Sequence, residues 1–329
     1  YWWEGGAAWG GLIDYWAYTK DTSYVKTVTA AIAAQVGPAK NFIVPNHADQ
    51  EGNDDQAFWV CSALSGLELN HPAPSGMSWL SLATAGFENM ASRWNTSTCN
   101  GGLAWQIYAT NVNGLGYKNT IANAGLFQIA ARLARYTGDQ QYVGWANKAW
   151  DWMEGIGLIS AEFNAYDGTD DTKNCSKVDG MVEWTYNNGM LMYGAAAMHS
   201  LTGESIWQDR VLGLLKMAEQ RFFSPFPNAT NVLFEAACET IGTCNTDQLS
   251  FKGYLSRWMA KTAMVMPEIA DTVTKLLQAS AKAAAQSCSG GSDGATCGNK
   301  WYVKGWDGTW GVGQQLTAME TIQALLVAQ

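Results

Sequence analysis

The chain has 329 residues, 47% of them apolar and only 15% charged, with a net charge of −9. That is ample apolar material for a core of one large or two ordinary domains. An acidic balance with no basic patch excludes a nucleic-acid binder, and no apolar run reaches the length of a membrane span.

The chain opens at Tyr1-Trp2-Trp3-Glu4, inside a helical pattern of about 2–18, and therefore reads as trimmed at its start. That helix ends at Tyr18-Thr19-Lys20-Asp21-Thr22-Ser23-Tyr24, which recurs as Tyr136-Thr137-Gly138-Asp139-Gln140-Gln141-Tyr142 and as Leu201-Thr202-Gly203-Glu204-Ser205-Ile206-Trp207. Each copy is a helix end, a tight turn and an acidic residue opening the next helix, the corner of a helical hairpin. Repeated hairpins predict a repeat architecture. Segments at about 2–18, 53–69, 118–136, 184–201, 251–263 and 309–328 are rich in Gly, Ala and amides and suit an inner ring. Segments at about 22–36, 77–94, 139–154, 204–222 and 266–287 are more amphipathic and suit an outer ring. The expectation is an all-α (α/α)6 barrel formed by residues 1–329 as one catalytic domain, with a sixth outer helix lost at the trimmed start. Strand-like alternation is nearly absent. The long loops 37–52, 95–117, 155–183, 223–250 and 288–308 all precede inner helices and carry Trp105, Tyr108, Tyr166, Trp301, Tyr302 and Trp306. Loops of that length are more often functional than accidental. Seventeen Trp supply flat faces suited to sugar rings, although most must pack the core.

Seven cysteines point to an oxidising compartment. Cys238/Cys244 and Cys288/Cys297 bracket short loops and read as local disulfides; Cys99 and Cys175 suit a third, long-range bridge, and Cys61 a buried thiol. Sequons begin at Asn95, Asn174 and Asn228. The expected location is extracellular or at the cell surface. No spacing resembles a zinc site; His47-Ala48-Asp49-Gln50-Glu51 lacks a second histidine or cysteine, so no metal and no cofactor is expected.

The most informative stretch is Asn53-Asp54-Asp55-Gln56-Ala57-Phe58-Trp59, two adjacent carboxylates opening an apolar helical run. Taken alone, the pair is better explained by the helix dipole, which welcomes anions at its start. The catalytic reading is that two close carboxylates in an apolar setting divide into an anion and a proton donor, as glycosidic cleavage requires.

Tyr1-Trp2-Trp3-Glu4-Gly5-Gly6, the Asp54-Asp55 stretch, Gly101-Gly102-Leu103-Ala104-Trp105-Gln106 and Lys118-Asn119-Thr120-Ile121-Ala122-Asn123 together resemble family 76 glycoside hydrolases. So do Glu183-Trp184-Thr185-Tyr186-Asn187-Asn188-Gly189, Phe251-Lys252-Gly253 and Asp307-Gly308-Thr309-Trp310-Gly311. The enzymes so resembled are α-1,6-mannanases with an (α/α)6 barrel, and the disulfides and sequons are most similar to their fungal Dfg/Dcw branch. That resemblance implies Asp54 as nucleophile and Asp55 as general acid/base of a retaining mechanism; helix geometry adds Asn53 as the N-cap that turns both carboxylates toward the cleft. Tyr186 and Asn187 match the family's active-site end; Trp3, Trp105, Gln106, Asn119, Asn123 and Tyr254 are further candidate sugar contacts, and Lys252 is a candidate to orient a carboxylate or meet a phosphate on the substrate. Against these stand core packing for the tryptophans, amide bonding between helices for Asn119 and Asn123, and a surface position for Lys252.

The resemblance further implies a monomer acting on a mannan oligosaccharide or the glycan of a GPI anchor. The expected setting is the plasma membrane and cell wall, with attachment through a GPI anchor absent from this chain and a β-glucan as acceptor if sugar is transferred. Hydrolysis and transglycosylation remain open, since acceptor affinity and water exclusion decide between them. A non-catalytic carbohydrate-binding wall scaffold is the alternative; an intact Asp54-Asp55 pair weighs against it.

Overall fold

The structure is a computed structural model that describes residues 1–48, 51–111, 114–223 and 226–327. The chain divides into two compact units: Tyr1–Ser160 with Tyr166–Met181, and Ala161–Ala165 with Val182–Gln329.

The first unit holds α1 (Trp2–Thr19), α2 (Val25–Ala34), α3 (Asn53–Glu68), α4 (Trp79–Ser92), α5 (Thr120–Thr137) and α6 (Gln140–Gly155). Helix α3 packs against α1, α4 and α5, and is buried along nearly its whole length. Small residues permit this: a Cβ on Gly125 of α5 would lie 2.6 Å from the Cβ of Ala57 on α3. The long loops contain short strands that are too brief for alternation to reveal. Tyr117–Asn119 (β1) pairs antiparallel with Tyr166–Asp170 (β2), with Lys118 opposite Thr169, and Gly180–Glu183 (β3) follows β2 in the sheet order.

The second unit holds α7 (Thr185–Thr202), α8 (Ser205–Phe222), α9 (Phe251–Val265), α10 (Ala270–Ser287) and α11 (Val312–Gln323), with a two-stranded ribbon of Cys288–Gly290 (β4) and Thr296–Cys297 (β5). Helix α9 packs against α7, α10 and α11. A Cβ on Gly253 would lie 2.8 Å from the Cα of Thr317, so glycine sets the close approach of α9 to α11.

The repeated corners share one hydrogen-bond plan. Lys20, Gly138 and Gly203 are left-handed C-caps at φ 63°, 74° and 69°. The threonine just before each donates its hydroxyl to the carbonyl four residues back, Tyr15, Leu133 or Met198. The acidic residue after the cap then donates its N–H to that same hydroxyl at 3.1–3.2 Å. Cys99–Cys175, Cys238–Cys244 and Cys288–Cys297 are disulfides, while Cys61 is buried and donates to Gln128. Among the described residues no helix is long and apolar enough to cross a membrane.

Candidate active site

The start of α3 places two carboxylates on an otherwise sealed surface. From Glu51 to Leu67 every residue is buried except Asp54 and Asp55. The helix is capped by Gly52, extended at φ −98° and ψ 169°. Its N–H donates to Oδ2 of Asp55 at 2.5 Å, and the Asp55 N–H donates to Oδ1 of Asp54 at 3.1 Å. Both side chains lean over Gly52: a Cβ there would lie 2.3 Å from Asp54 Oδ1 and 2.8 Å from Asp55 Oδ2. Those two oxygens are therefore no more than about 5 Å apart, the scale of a retaining glycosidase pair.

Asn53 is not the cap expected of it. The bridge between Gly52 and Gln106 holds the entering chain extended, and the Asn53 N–H is taken by the Trp105 carbonyl at 2.9 Å. The cap therefore falls one residue earlier. The Asn53 side chain instead donates to the Ala104 carbonyl at 2.9 Å and accepts from Arg93 Nε at 2.8 Å.

Beneath the pair lies a polar support that the sequence reading missed. Arg93 donates to Asn53, to Asn89 at 2.6 Å and to Gln56, and Gln56 donates to the Asn41 carbonyl at 2.7 Å. Burial pulls the Arg93 pKa down to about 10, against the opposing pull of Tyr108 and Glu51, so it stays charged at neutral pH. Glu51 is fully buried and accepts the Val44 N–H at 2.5 Å. Burial pushes its pKa up, opposed by that N–H, by Tyr108 and by nearby positive groups. Arg93 closes an amphipathic outer helix, where its polar character signals nothing but solvent.

Trp105 and Gln106 are half-buried in the loop joined to Gly52 and Asn53. Gly114, at φ 98°, lies against the Trp105 ring, and Asn111 donates to Gln106 at 2.9 Å. Asn119 caps α5 through Ala122 N–H at 3.3 Å and is buried. Asn123 is fully buried; it exchanges hydrogen bonds with both backbone groups of Leu103 at 2.8 and 3.0 Å and donates to Asn119 O at 2.8 Å. That amide holds the Gly-Gly-Leu-Ala-Trp loop, which corrects its expected sugar contact. Trp3 is also buried, 4.7 Å from the Phe58 ring, and packs the core beside α3 rather than forming an open platform.

In the second unit, Tyr186 stacks on Phe251 with centroids 3.8 Å apart and planes 10° from parallel. Asn187 is fully buried, and neither of its amide atoms has a hydrogen-bond partner among the described residues. Thr185, which opens α7, donates its N–H at 3.1 Å and its hydroxyl at 2.5 Å to Glu235. Lys252 is not a surface lysine; buried against both oxygens of Glu239 at 3.1 and 3.0 Å, it orients that carboxylate, donates to the Asn299 carbonyl and lies 4.0 Å from the Trp301 ring centroid, all of which occupies it away from a sugar. Tyr254 is fully buried beside Trp258 and so is a core residue. No group of three or more His, Cys, Asp and Glu among the described residues is placed to hold a metal; Asp49 and Gln50 lie outside the described residues.

A family profile described as Glycosyl hydrolase family 76 matches residues 1–329. Mannan endo-1,6-alpha-mannosidase DCW1 of Candida albicans is 45% identical over 99% of this chain and 73% of its own length. The enzyme of the same name from Saccharomyces cerevisiae is 45% identical over 98% of this chain and 71% of its own. The crystal structure of Dfg5 from Chaetomium thermophilum, in complex with glucosamine, superposes at TM-score 0.94 with 40% identity, over 99% of this chain and 80% of that one. An inactive double-aspartate variant of the α-1,6-mannanase GH76A of Salegentibacter sp. HEL1_6, bound to α-1,6-mannotriose, superposes at TM-score 0.80 with 18% identity over 100% of this chain and 90% of that one, a likeness of fold. The fold class is the (α/α)6 barrel of these structures. The chain belongs to glycosyl hydrolase family 76.

Proposed function

We propose that this protein cleaves α-1,6-linked mannose by a retaining mechanism, with residues 1–329 working as one catalytic domain. The observation that carries this reading is the isolation of Asp54 and Asp55, the only accessible side chains between Glu51 and Leu67, over Gly52. Relatives named mannan endo-1,6-alpha-mannosidase support the substrate class.

Asp54, which accepts the Asp55 N–H in the first helical turn, stays anionic and attacks the anomeric carbon. The bond from that carbon to O6 of the next mannose breaks, and Asp55 gives its proton to the departing O6. Gly52 holds Oδ2 of Asp55, so the transferred proton rides on Oδ1. In the second half, Asp55 takes a proton from the incoming hydroxyl, which attacks the anomeric carbon and releases Asp54. Water in that role gives hydrolysis; a sugar hydroxyl, such as one of a β-glucan, gives transfer. Trp105 and Gln106, in the loop bridged to Gly52 and Asn53, are the proposed sugar contacts beside the pair, and Asn119 is kept on the family motif. Tyr186 and Asn187 are kept on the family motif. The proposed setting is the fungal cell surface, where the protein works as a monomer on mannan or on the glycan of a GPI anchor and is itself held through a GPI anchor.

The test is incubation with α-1,6-mannooligosaccharides, with and without a β-glucan acceptor, for wild type, Asp54→Asn and Asp55→Asn. Mass spectrometry reads the products and NMR the anomeric configuration. Shortened chains with retained configuration, lost in both variants, support the hydrolase; products joined to the acceptor make it a transglycosylase. Binding without turnover, unchanged in the variants, would leave a carbohydrate-binding wall protein.

A further inference from the structure

One sequon stands at the lip of a groove. Asn228 and Thr230 are exposed in a turn whose middle residue, Ala229, is buried. Both border an open groove of about 710 Å³ that runs over the face of α10. That volume falls within the roughly 300–1,000 Å³ typical of small-ligand sites. Val232, Ala279 and Ala283 line it with apolar surface, and Gln286, Lys282 and Lys304 contribute donors. The first sugars of an N-linked glycan have the same mixed character: an apolar ring face, an acetamide carbonyl that accepts and hydroxyls that do both. Three disulfides suit passage through a secretory compartment, where Asn-Xaa-Thr is an acceptor.

We propose that Asn228 carries an N-linked glycan whose first N-acetylglucosamine residues lie in this groove, along α10. The glycan then bridges the 226–235 segment to α10. That segment is otherwise tied to α10 through Ser280, which accepts the Leu233 N–H at 3.0 Å and donates to the Asn231 carbonyl at 3.2 Å. It ends at Glu235, the carboxylate that receives the start of α7. Sugar packed in the groove therefore stiffens the segment that sets the position of Thr185.

The experiment uses the protein secreted from a glycosylating yeast host, and is independent of which substrate the enzyme cleaves. Glycopeptide mass spectrometry reads occupancy at Asn228, Asn95 and Asn174. Hydrogen exchange then compares peptides covering 226–235 and 279–286 before and after enzymatic glycan removal from the folded protein. The expected result is an occupied Asn228 and exchange about tenfold faster in both peptides once the glycan is removed. Thr230→Ala should reproduce the loss, and Thr230→Ser, which keeps the sequon, should not. An unmodified Asn228, or an occupied one whose removal leaves exchange unchanged, would overturn the proposal. Enzymatic removal keeps the test valid even if Thr230→Ala is not secreted.

Discussion

Gly52 and Asp55 form one unit at the start of α3: the glycine N–H holds Oδ2 of the aspartate at 2.5 Å, and the bare Cα gives both carboxylates room to close over it. The cap of this helix is thus made in reverse. The side chain at the third helical position reaches back to the cap backbone, and the cap residue itself carries no side chain.

Gly52→Ala tests that relationship. The backbone angles at Gly52 are open to any residue, so the new methyl acts by contact alone, 2.3 Å from Asp54 Oδ1 and 2.8 Å from Asp55 Oδ2. Displacing a reacting group by about 1 Å costs on the order of 100-fold in rate. We expect kcat to fall by about that factor with the melting temperature nearly unchanged. A variant with wild-type kcat would show that the carboxylates are not the reacting groups.

Arg93 sets the floor on which the pair stands. Removing its guanidinium leaves oxygens of Asn53 and Gln56 without their donor in a buried setting, a loss of about 1–3 kcal/mol for such a group. Arg93→Lys cannot reproduce the fork that reaches Asn53, Asn89 and Gln56 together. Urea denaturation of Arg93→Lys and Arg93→Gln should show similar destabilisation, with kcat lowered and KM little changed. Full rescue by lysine would reduce the role of Arg93 to its charge.

The Cys99–Cys175 bridge spans 76 residues of sequence, and closing a loop of that length is worth about 4 kcal/mol. It anchors the turn leading to Trp105, but Lys118 anchors the same turn by donating to the carbonyls of Asn95, Thr98 and Gly101 at 3.1, 2.9 and 2.6 Å. Replacing both cysteines with serine should lower stability by about that amount while leaving kcat near wild type below the melting range. Adding Lys118→Met should then reduce kcat. Loss of kcat on removing the disulfide alone would show that Lys118 does not hold the loop by itself.

Much of this was legible before the structure. The three corner sequences foretold the hairpins because threonine, a residue able to turn left-handed and an acid each make a local hydrogen bond that needs no distant partner. The Asp54-Asp55 pair stood out because like charges rarely open a buried helix. What stayed hidden depends on partners remote in sequence. Nothing near Asn123 announces Leu103, twenty residues away, and nothing near Lys252 announces Glu239. Gly52 was silent for the opposite reason: its contribution is the absence of a side chain.

The buried acids of the second unit make stability depend on pH. Burial pushes the Glu235 pKa up to about 8, with neighbouring Glu239 adding to the rise and Thr185 and Lys252 opposing it. Burial also raises the Glu239 carboxyl and lowers the Lys252 ammonium, while their mutual attraction works against both shifts. In the unfolded chain a glutamate titrates near about 4.3. Between that value and about 8 the folded chain keeps a proton on Glu235 that the unfolded chain has released. Stability from this group is therefore complete below the lower value, declines as pH rises through the window and is gone above it. Glu235→Gln cannot ionise and still offers Thr185 an acceptor. Its melting temperature should match wild type near pH 4 and exceed it by several degrees at pH 8.5, at roughly 2–4 °C per kcal/mol for a unit of this size. Melting curves for the two proteins at half-unit pH steps decide the matter, because parallel profiles across the window would mean that Glu235 is ionised in the folded state.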